Sequence, residues 1–313
     1  MFAARPLAYA RRTFMRPGLS GNTNDPLVSI IVRSFNEGWA LPGTLAALRA
    51  QEYTNWELIV IDSGSSDGSV ELIRRAQPRH FIRILPHEYI PSRVLNQGMQ
   101  LARSEAGVFL NADATPQGPH WLRPLVTALQ NPRNAAVFSR QIPRPDCEAV
   151  FACDYERCFG PRRESAKWDH FFSLVSSGIR KDAWAYRGFC ESMQYSEDDE
   201  YTRWCRAAGY RVVYCPASVV MHSHNYTPRQ AYKRSFGEAW ALTAMGAAPA
   251  RLTRPGQVFL GWLNDARRDL GFCWRNRRLR EWPRALRIRY EQRLGRLAGG
   301  KAGWAMREQA GSL

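Results

Sequence analysis

Four short apolar runs, each closing on polar residues and each separated from the next by a helical pattern, restrict this chain more than any other feature. The runs are Val28-Ser29-Ile30-Ile31-Val32, Glu57-Leu58-Ile59-Val60-Ile61, His80 to Leu85 and Val108-Phe109-Leu110. Continuous apolar runs of this length suit strands buried on both faces of a parallel sheet. Between them, Leu41, Leu45 and Leu48 recur at spacings of four and three, Val70 to Ala76 reads as a second helix, and Ser92 to Ser104 as a third. The alternation predicts an α/β fold with an open, mostly parallel sheet and helices on both faces. In such sheets ligands bind outside the carboxyl ends of the strands. Three of the four runs end there in acids or amides: Phe35-Asn36-Glu37, Asp62-Ser63 and Asn111-Ala112-Asp113.

After residue 115 the pattern loosens. Trp121 to Leu129 reads as a helix and Ala136-Val137-Phe138 as a strand, and residues 141–175 are irregular and rich in aromatic residues and Arg. Asp198 to Ala208 reads as a helix stopped by Gly209, with short strands at Arg211–Tyr214 and Ser218–Met221 around Pro216. From Gln230 onward the chain reads as mainly helical.

With 45% hydrophobic and 12% aromatic residues, wholesale disorder is excluded. No apolar stretch reaches 18 residues, which excludes a polytopic membrane protein. The net charge of +16 sits at the ends. Residues 1–24 hold four Arg and no acid, and residues 251–313 hold 15 Lys/Arg against 5 Asp/Glu, leaving the middle nearly balanced. The organisation expected is a flexible basic arm (1–24), a catalytic domain (25–245, with halves meeting near 115/116) and a basic amphipathic helical extension (246–313). Basic ends seek phosphates, on nucleic acid or anionic lipid. In the extension Leu279, Trp282, Leu286, Tyr290, Leu294 and Leu297 recur at helical spacing with Arg between them, behind Phe259, Trp262, Leu263, Leu270, Phe272 and Trp274. That stripe fits either an anchor on anionic membrane or a face packed on the catalytic domain with its Arg in water.

Seven Cys with no C-x2-C pair argue against structural zinc, and the expectation is reduced thiols in a cytoplasmic protein. Arg11-Arg12 resembles a twin-arginine signal, but no apolar segment follows it.

Several residue groups can carry chemistry. Phe35 can stack on a base, and Asn36, Glu37, Asp62 and Ser63 can bond base edges and ribose hydroxyls; Asp62 and Ser63 are equally ordinary turn formers. Asp113 at a strand tip suits a hard divalent cation that holds a diphosphate. Ser196-Glu197-Asp198-Asp199-Glu200 opens a helix, so its acids fit either the helix dipole or a general base. His222 and His224, two apart in an extended segment, point the same way and can ligate metal or grip phosphate, or can satisfy buried hydrogen bonds.

The order of these motifs resembles family 2 glycosyltransferases. Val28 to Glu37 looks like their opening strand and loop, Ile59 to Gly68 their second strand end, and Asn96-Gln97-Gly98 with Phe109 to Asp113 the segment leading to the D-x-D motif. Glu197-Asp198, Gly209-Tyr210, Pro216 and His222 resemble the acceptor half with its E-D base motif. The resemblance covers about residues 26–240 and is nearest to bacterial rhamnosyltransferase-like members. It implies an A-type glycosyltransferase fold and inverting transfer from a nucleoside-diphosphate sugar to a glycan or lipid-linked acceptor, placing the chain in cell-surface polysaccharide biosynthesis. By position, Phe35, Asn36, Glu37, Asp62 and Ser63 would hold the nucleoside, with Arg93, Asn96 and Asn111 as further donor contacts. Asp113 would hold Mg²⁺ or Mn²⁺, Asp198 would be the base beside Glu197, and Ser176 to Ile179 would line the acceptor side. The motif reads Asn111-Ala112-Asp113, so an amide replaces one carboxylate and His222 is the candidate for the missing ligand. A sugar nucleotidyltransferase would need a Gly-rich loop after the first strand, where only Gly38 stands. A basic nucleic-acid-binding protein would carry a recognition motif, and none is present, so no nucleic acid is expected.

Overall fold

The computed structural model describes residues 25–168, 170–247 and 255–311. The expected arm at 1–24 lies outside the described residues.

Eight strands form one sheet: β1 (Val28–Ser34), β2 (Trp56–Asp62), β3 (His80–Arg83), β4 (Ala106–Asn111), β5 (Thr115–Pro116), β6 (Asn134–Ile142), β7 (Ser176–Arg180) and β8 (Arg211–Met221). Their spatial order is β3-β2-β1-β4-β7-β6-β8-β5. β1 pairs in parallel with both β2 and β4, so the strand order reverses direction at β1. The carboxyl ends of β1 and β4 therefore open a crevice at the switch point.

Side chains alternate across the sheet with the period of two expected of strands. Ile30, Val32, Val60 and Leu110 meet Leu41, Leu45 and Leu48 of α1 (Leu41–Arg49) and Leu122 and Leu125 of α4 (Leu122–Leu129) on one face. Ile31, Ile59 and Phe109 meet Leu95 and Met99 of α3 (Pro91–Leu101) and Tyr201 and Trp204 of α7 (Glu197–Ala207) on the other. The remaining short helices of this half are α2 (Ser69–Ala76), α5 (Ala149–Phe159) and α6 (Lys181–Tyr186).

Two features escape the apolar-run reading. Central β7 reads Ser-Ser-Gly-Ile-Arg and runs antiparallel to both neighbours. Small residues are needed there, because a Cβ on Gly178 would lie 2.7 Å from Leu129 Cδ1. Ser176, Ser139 and Ser218 join in a buried hydroxyl chain at 2.6 and 2.8 Å, to which Trp121 Nε1 donates at 3.0 Å. The two short strands expected around Pro216 are one strand, β8. Opposite β6, Cys215 pairs with Ser139 and Val219 with Arg140, so Pro216 lies in a bulge where its missing N–H costs no ladder bond.

The C-terminal helices are α8 (Pro228–Ala244), α9 (Pro255–Arg275) and α10 (Trp282–Gly311). Gly295, Gly299 and Gly303 of α10 lie directly on the carbonyls of Tyr232, Phe236 and Trp240 of α8; a Cβ at Gly299 would meet the Phe236 oxygen at 2.1 Å. Four-residue spacing on both helices lets the backbones touch, which only glycine permits. Most of the basic side chains here are exposed, but a few turn inward. Arg289, 3% exposed, donates to Asp269 at 2.7 Å and to both oxygens of Asp154 at 2.7 and 2.9 Å, tying α10 to α9 and α5. Burial alone would raise the Asp154 pKa, but Arg289 holds it below the usual carboxylate range. Arg293 pairs with Asp265 at 2.6 Å. The α10 stripe at 282–297 is mostly half-buried rather than a free outer face. No helix among the described residues is long and apolar enough to cross a membrane.

Candidate active site

The loops after β1 and β2 brace one another before any ligand arrives. Asn36 sits at φ 54° with its Oδ1 accepting from the Ser66 N–H at 2.9 Å, while its own N–H donates to Ser65 Oγ at 2.8 Å. Asp62, fully buried, accepts from the N–H groups of Ser65 and Gly64 at 2.9 and 3.1 Å and from Ser65 Oγ at 2.5 Å. These two side chains shape the loop floor. Phe35, Glu37 and Ser63 stand on the wall of a cavity of about 290 Å³, with Arg33, Tyr89, Asn111 and Asp113. Phe35 is 49% exposed, a ring presented to solvent at the cavity mouth. Burial, and then the Asp113 charge, push the Glu37 carboxyl up to about 7.

Asp113 ends the turn after β4, and β8 delivers two histidines to it. His224 Nε2 lies 3.2 Å and His222 Nε2 3.4 Å from Asp113 Oδ2. Gln141 Oε1 lies 3.1 Å and Tyr155 Oη 3.0 Å from His222 Nδ1. With the amide oxygen accepting, Nδ1 carries the proton and Nε2 presents a lone pair. Burial holds the His222 imidazole down to about 4 and lowers His224 as well, so both rings are neutral at pH 7. Asp113 Oδ2 and His222 Nε2 are buried with no hydrogen-bond partner. Acceptor atoms that face one another without donors fit a cation, and one carboxylate with two imidazoles suits a divalent metal. The three ligand atoms lie within 4.8 Å of one another. By accepting from Nδ1, Gln141 fixes the His222 ring with its Nε2 toward Asp113.

The acidic cluster opens α7. Ser196 at φ 60° turns the chain into the helix. Asp198 Oδ1 accepts from the Asp199 N–H at 2.9 Å. A helix N-terminus favours carboxylate, yet burial and the neighbouring Glu197 push Asp198 up to about 7. Desolvation therefore outweighs the dipole. Glu197 faces Arg33 at 3.8 Å, and Arg33 in turn donates to Asn111 Oδ1 at 2.8 Å.

Glu197, Asp198, His222 and His224 line one cavity of about 730 Å³. Arg33, Tyr89 and Asn111 line both it and the smaller cavity, so the two are arms of a single cleft. A deeper arm reaches the C-terminal helices, where Arg268, Arg293 and Arg296 line it. Arg268 Nε there is buried without a partner.

Of the residues expected at the site, Phe35, Glu37, Ser63, Asn111, Asp113, Glu197, Asp198 and His222 share this cleft. Asn36 and Asp62 stand behind its wall, Ser176 to Ile179 are buried in β7, and Arg93 and Asn96 are not on its lining. Asn96 donates to the Phe189 carbonyl and Glu191 at 2.9 and 3.0 Å and accepts from Trp184 Nε1 and the Phe189 N–H at 2.9 and 2.9 Å. Its amide is spent holding the 184–191 loop, so it is a strut and not a donor contact. Arg93, half exposed, pairs with Glu191 at 3.7 Å on the same outer loop. Arg33, Tyr89, Gln141, Tyr155 and Arg234 were absent from the expected set. Arg33 directly follows the apolar run Val28–Val32, whereas Gln141 and Tyr155 carry no local signal, since they meet His222 only through tertiary packing.

The family model described as Glycosyl transferase family 2 matches residues 29–183. The O-antigen chain rhamnosyltransferase WbaN of Salmonella anatum is 30% identical over 225 residues, covering 67% of this chain and 70% of that protein. The chain belongs to glycosyltransferase family 2. The O-antigen chain rhamnosyltransferase RfbN of Salmonella typhimurium is 29% identical over 220 residues, with the same shares of 67% and 70%. Among solved structures, a mannosyltransferase of Pyrobaculum calidifontis, in complex with GDP-Man and Mn²⁺, superposes with a TM-score of 0.55 at 21% identity. The match covers 86% of this chain and 77% of that one, and it places this glycosyltransferase in the A-type fold.

Proposed function

We propose that this glycosyltransferase inverts the anomeric centre as it moves a sugar, rhamnose in our reading, from a nucleoside-diphosphate donor to a hydroxyl of a glycan or lipid-linked acceptor. The observation that carries the reading is the common cleft of Asp198 and the Asp113–His222–His224 cluster. The names of the two Salmonella relatives support rhamnose. The GDP-Man and Mn²⁺ of the structural neighbour support a nucleotide sugar and a divalent cation.

Phe35 stacks on the base, while Ser63 and Glu37 bond the nucleoside. Asp62 and Asn36 act by holding those walls. Asp113, His222 and His224 would hold Mg²⁺ or Mn²⁺, which when bound would supply charge stabilisation for a leaving diphosphate. Asp198 takes the acceptor proton on the face of the sugar opposite the leaving group, and its raised pKa matches a base working near neutrality. Glu197, beside it, raises that pKa. The Arg-lined arm beyond Asp198 suits an acceptor that carries phosphate. The reading includes a peripheral place on the cytoplasmic face of the cell membrane.

The test is Asp198→Asn, assayed for nucleoside diphosphate release from a donor panel with and without Mn²⁺. Loss of turnover with donor binding retained supports the base; wild-type turnover in the folded variant removes it.

A further inference from the structure

The outer face of α9 is apolar, basic and free of acid. Leu260, Leu263, Leu270 and Trp274 are 66, 44, 37 and 71% exposed. Their spacings of three, seven and four put them on one side of the helix, with exposed Arg267 among them. The two acids of α9, Asp265 and Asp269, are buried on the opposite side with Arg268 half-buried between them. Leu279, 42% exposed, extends the patch across the turn beyond α9. Around it Arg267, Arg277 and Arg280 have no carboxylate partner among the described residues, while Arg275 pairs with Glu156 at 3.5 Å.

We infer that this face docks on an anionic lipid bilayer, with Leu263, Leu270 and Trp274 entering the interface and Arg267, Arg277 and Arg280 meeting lipid phosphates. An exposed apolar stripe with Trp and flanking Arg is the chemistry of an interfacial helix. A second copy of the chain would bring the same charge against it. So would residues 1–24, which hold four Arg and no acid. The placement also fits the cleft. Asp265 and Arg268, on the inner side of the same helix, line the arm that runs to Asp198. One helix thickness, about 10 Å, separates lipid from an acceptor arm suited to a lipid-linked saccharide. This rests on the transfer reading above; of the apolar residues expected on the anchor surface it uses Leu263, Leu270, Trp274 and Leu279 and leaves the half-buried α10 part aside.

The experiment is flotation of the full chain with phosphatidylcholine vesicles, with or without phosphatidylglycerol, at physiological salt. Donor-sugar turnover is measured separately on a soluble acceptor. Wild type is expected to float only with the anionic vesicles. Trp274→Glu with Leu263→Glu should abolish flotation, and Arg267→Gln with Arg280→Gln should weaken it about tenfold, all with soluble turnover unchanged. Flotation that both pairs leave intact would overturn the assignment. So would absence of wild-type binding, or a concentration-dependent dimer that Trp274→Glu dissolves. Failed turnover in wild type would instead strike the transfer reading.

Discussion

The two ends of the cleft are built in different ways. At the donor end, short loops after β1 and β2 are held by bonds within the second loop and by bonds between the two loops. Asp62 bonds Gly64 and Ser65, and Asn36 reaches the Ser65-Ser66 pair of the adjoining loop. At the acceptor end, Asp198 comes from α7 and the far wall from α9 and α10, while His222 and His224, from beyond β8, meet Asp113 where the two ends join. The first end is confined to two adjoining strand ends and pre-organised by hydrogen bonds. The second is assembled by packing and long-range ion pairs, so it depends on the whole fold. Damage to the donor loops should therefore act on binding, whereas damage to the acceptor end should act on turnover or on stability.

Asp198→Asn breaks the comparison most directly. A positioned base contributes about 10²–10⁴-fold, and kcat should fall by that much with donor affinity and circular dichroism unchanged. The pH profile gives the sign independently. Because burial raises the Asp198 pKa to about 7, the carboxyl is protonated below that value and the base is lost. The wild-type rate should level off above about 7 and fall about tenfold per unit below it. A flat profile from pH 5 to about 8 would remove Asp198 from the proton path.

Arg289→Ala should act next most strongly, on stability. It removes the main partner of the Asp154 and Asp269 carboxylates, leaving Arg157 at 3.3 Å from Asp154 and Arg268 at 3.4 Å from Asp269. Breaking such a buried set costs about 3–5 kcal/mol. Denaturant unfolding should show that loss, while any protein still folded binds donor normally. Arg289→Met with Asp269→Leu, apolar on both sides, should recover part of it.

How much of this was legible in sequence follows the same division. Val28–Ser34 and Trp56–Asp62 announce themselves as apolar runs with polar ends, and the loops they feed satisfy one another across the paired strand ends. β7 does not, because its Ser and Gly are chosen by neighbours, Gly178 by Leu129 and Ser176 by Trp121. Asn96 misled for a related reason. A motif position names a residue, but only packing shows that its amide is occupied by Trp184 and Phe189. The α10 stripe fits either a membrane face or a packed face in sequence, and only the backbone approach at Gly295, Gly299 and Gly303 shows one side of that helix set on α8.

Gln141→Leu sharpens the link between the two ends. Gln141 touches neither Asp113 nor His224, and it serves the cluster only by accepting from His222 Nδ1. Removing such an oriented partner costs about 10–100-fold in metal affinity. Mn²⁺ titration should show it with donor-free protein. Equal affinity would mean that Tyr155, 3.0 Å from the same nitrogen, sets the ring by itself.

Asn111→Asp is the smallest expected change and the sharpest probe of local commitment. It restores the second carboxylate of the D-x-D pattern, so a reading from the motif alone expects tighter metal binding. The geometry argues otherwise. Asn111 Oδ1 already accepts from Arg33 at 2.8 Å, and a carboxylate there gains an ion pair in place of a neutral hydrogen bond. The new charge is drawn toward Arg33 and away from Asp113. It also competes with Glu197, which faces the same guanidinium at 3.8 Å. Mn²⁺ affinity should change by no more than about threefold, because the new carboxylate is paired before metal arrives. A gain above about tenfold would show that Arg33 releases this position when metal binds. The donor end would then be less rigid than its loop hydrogen bonds imply.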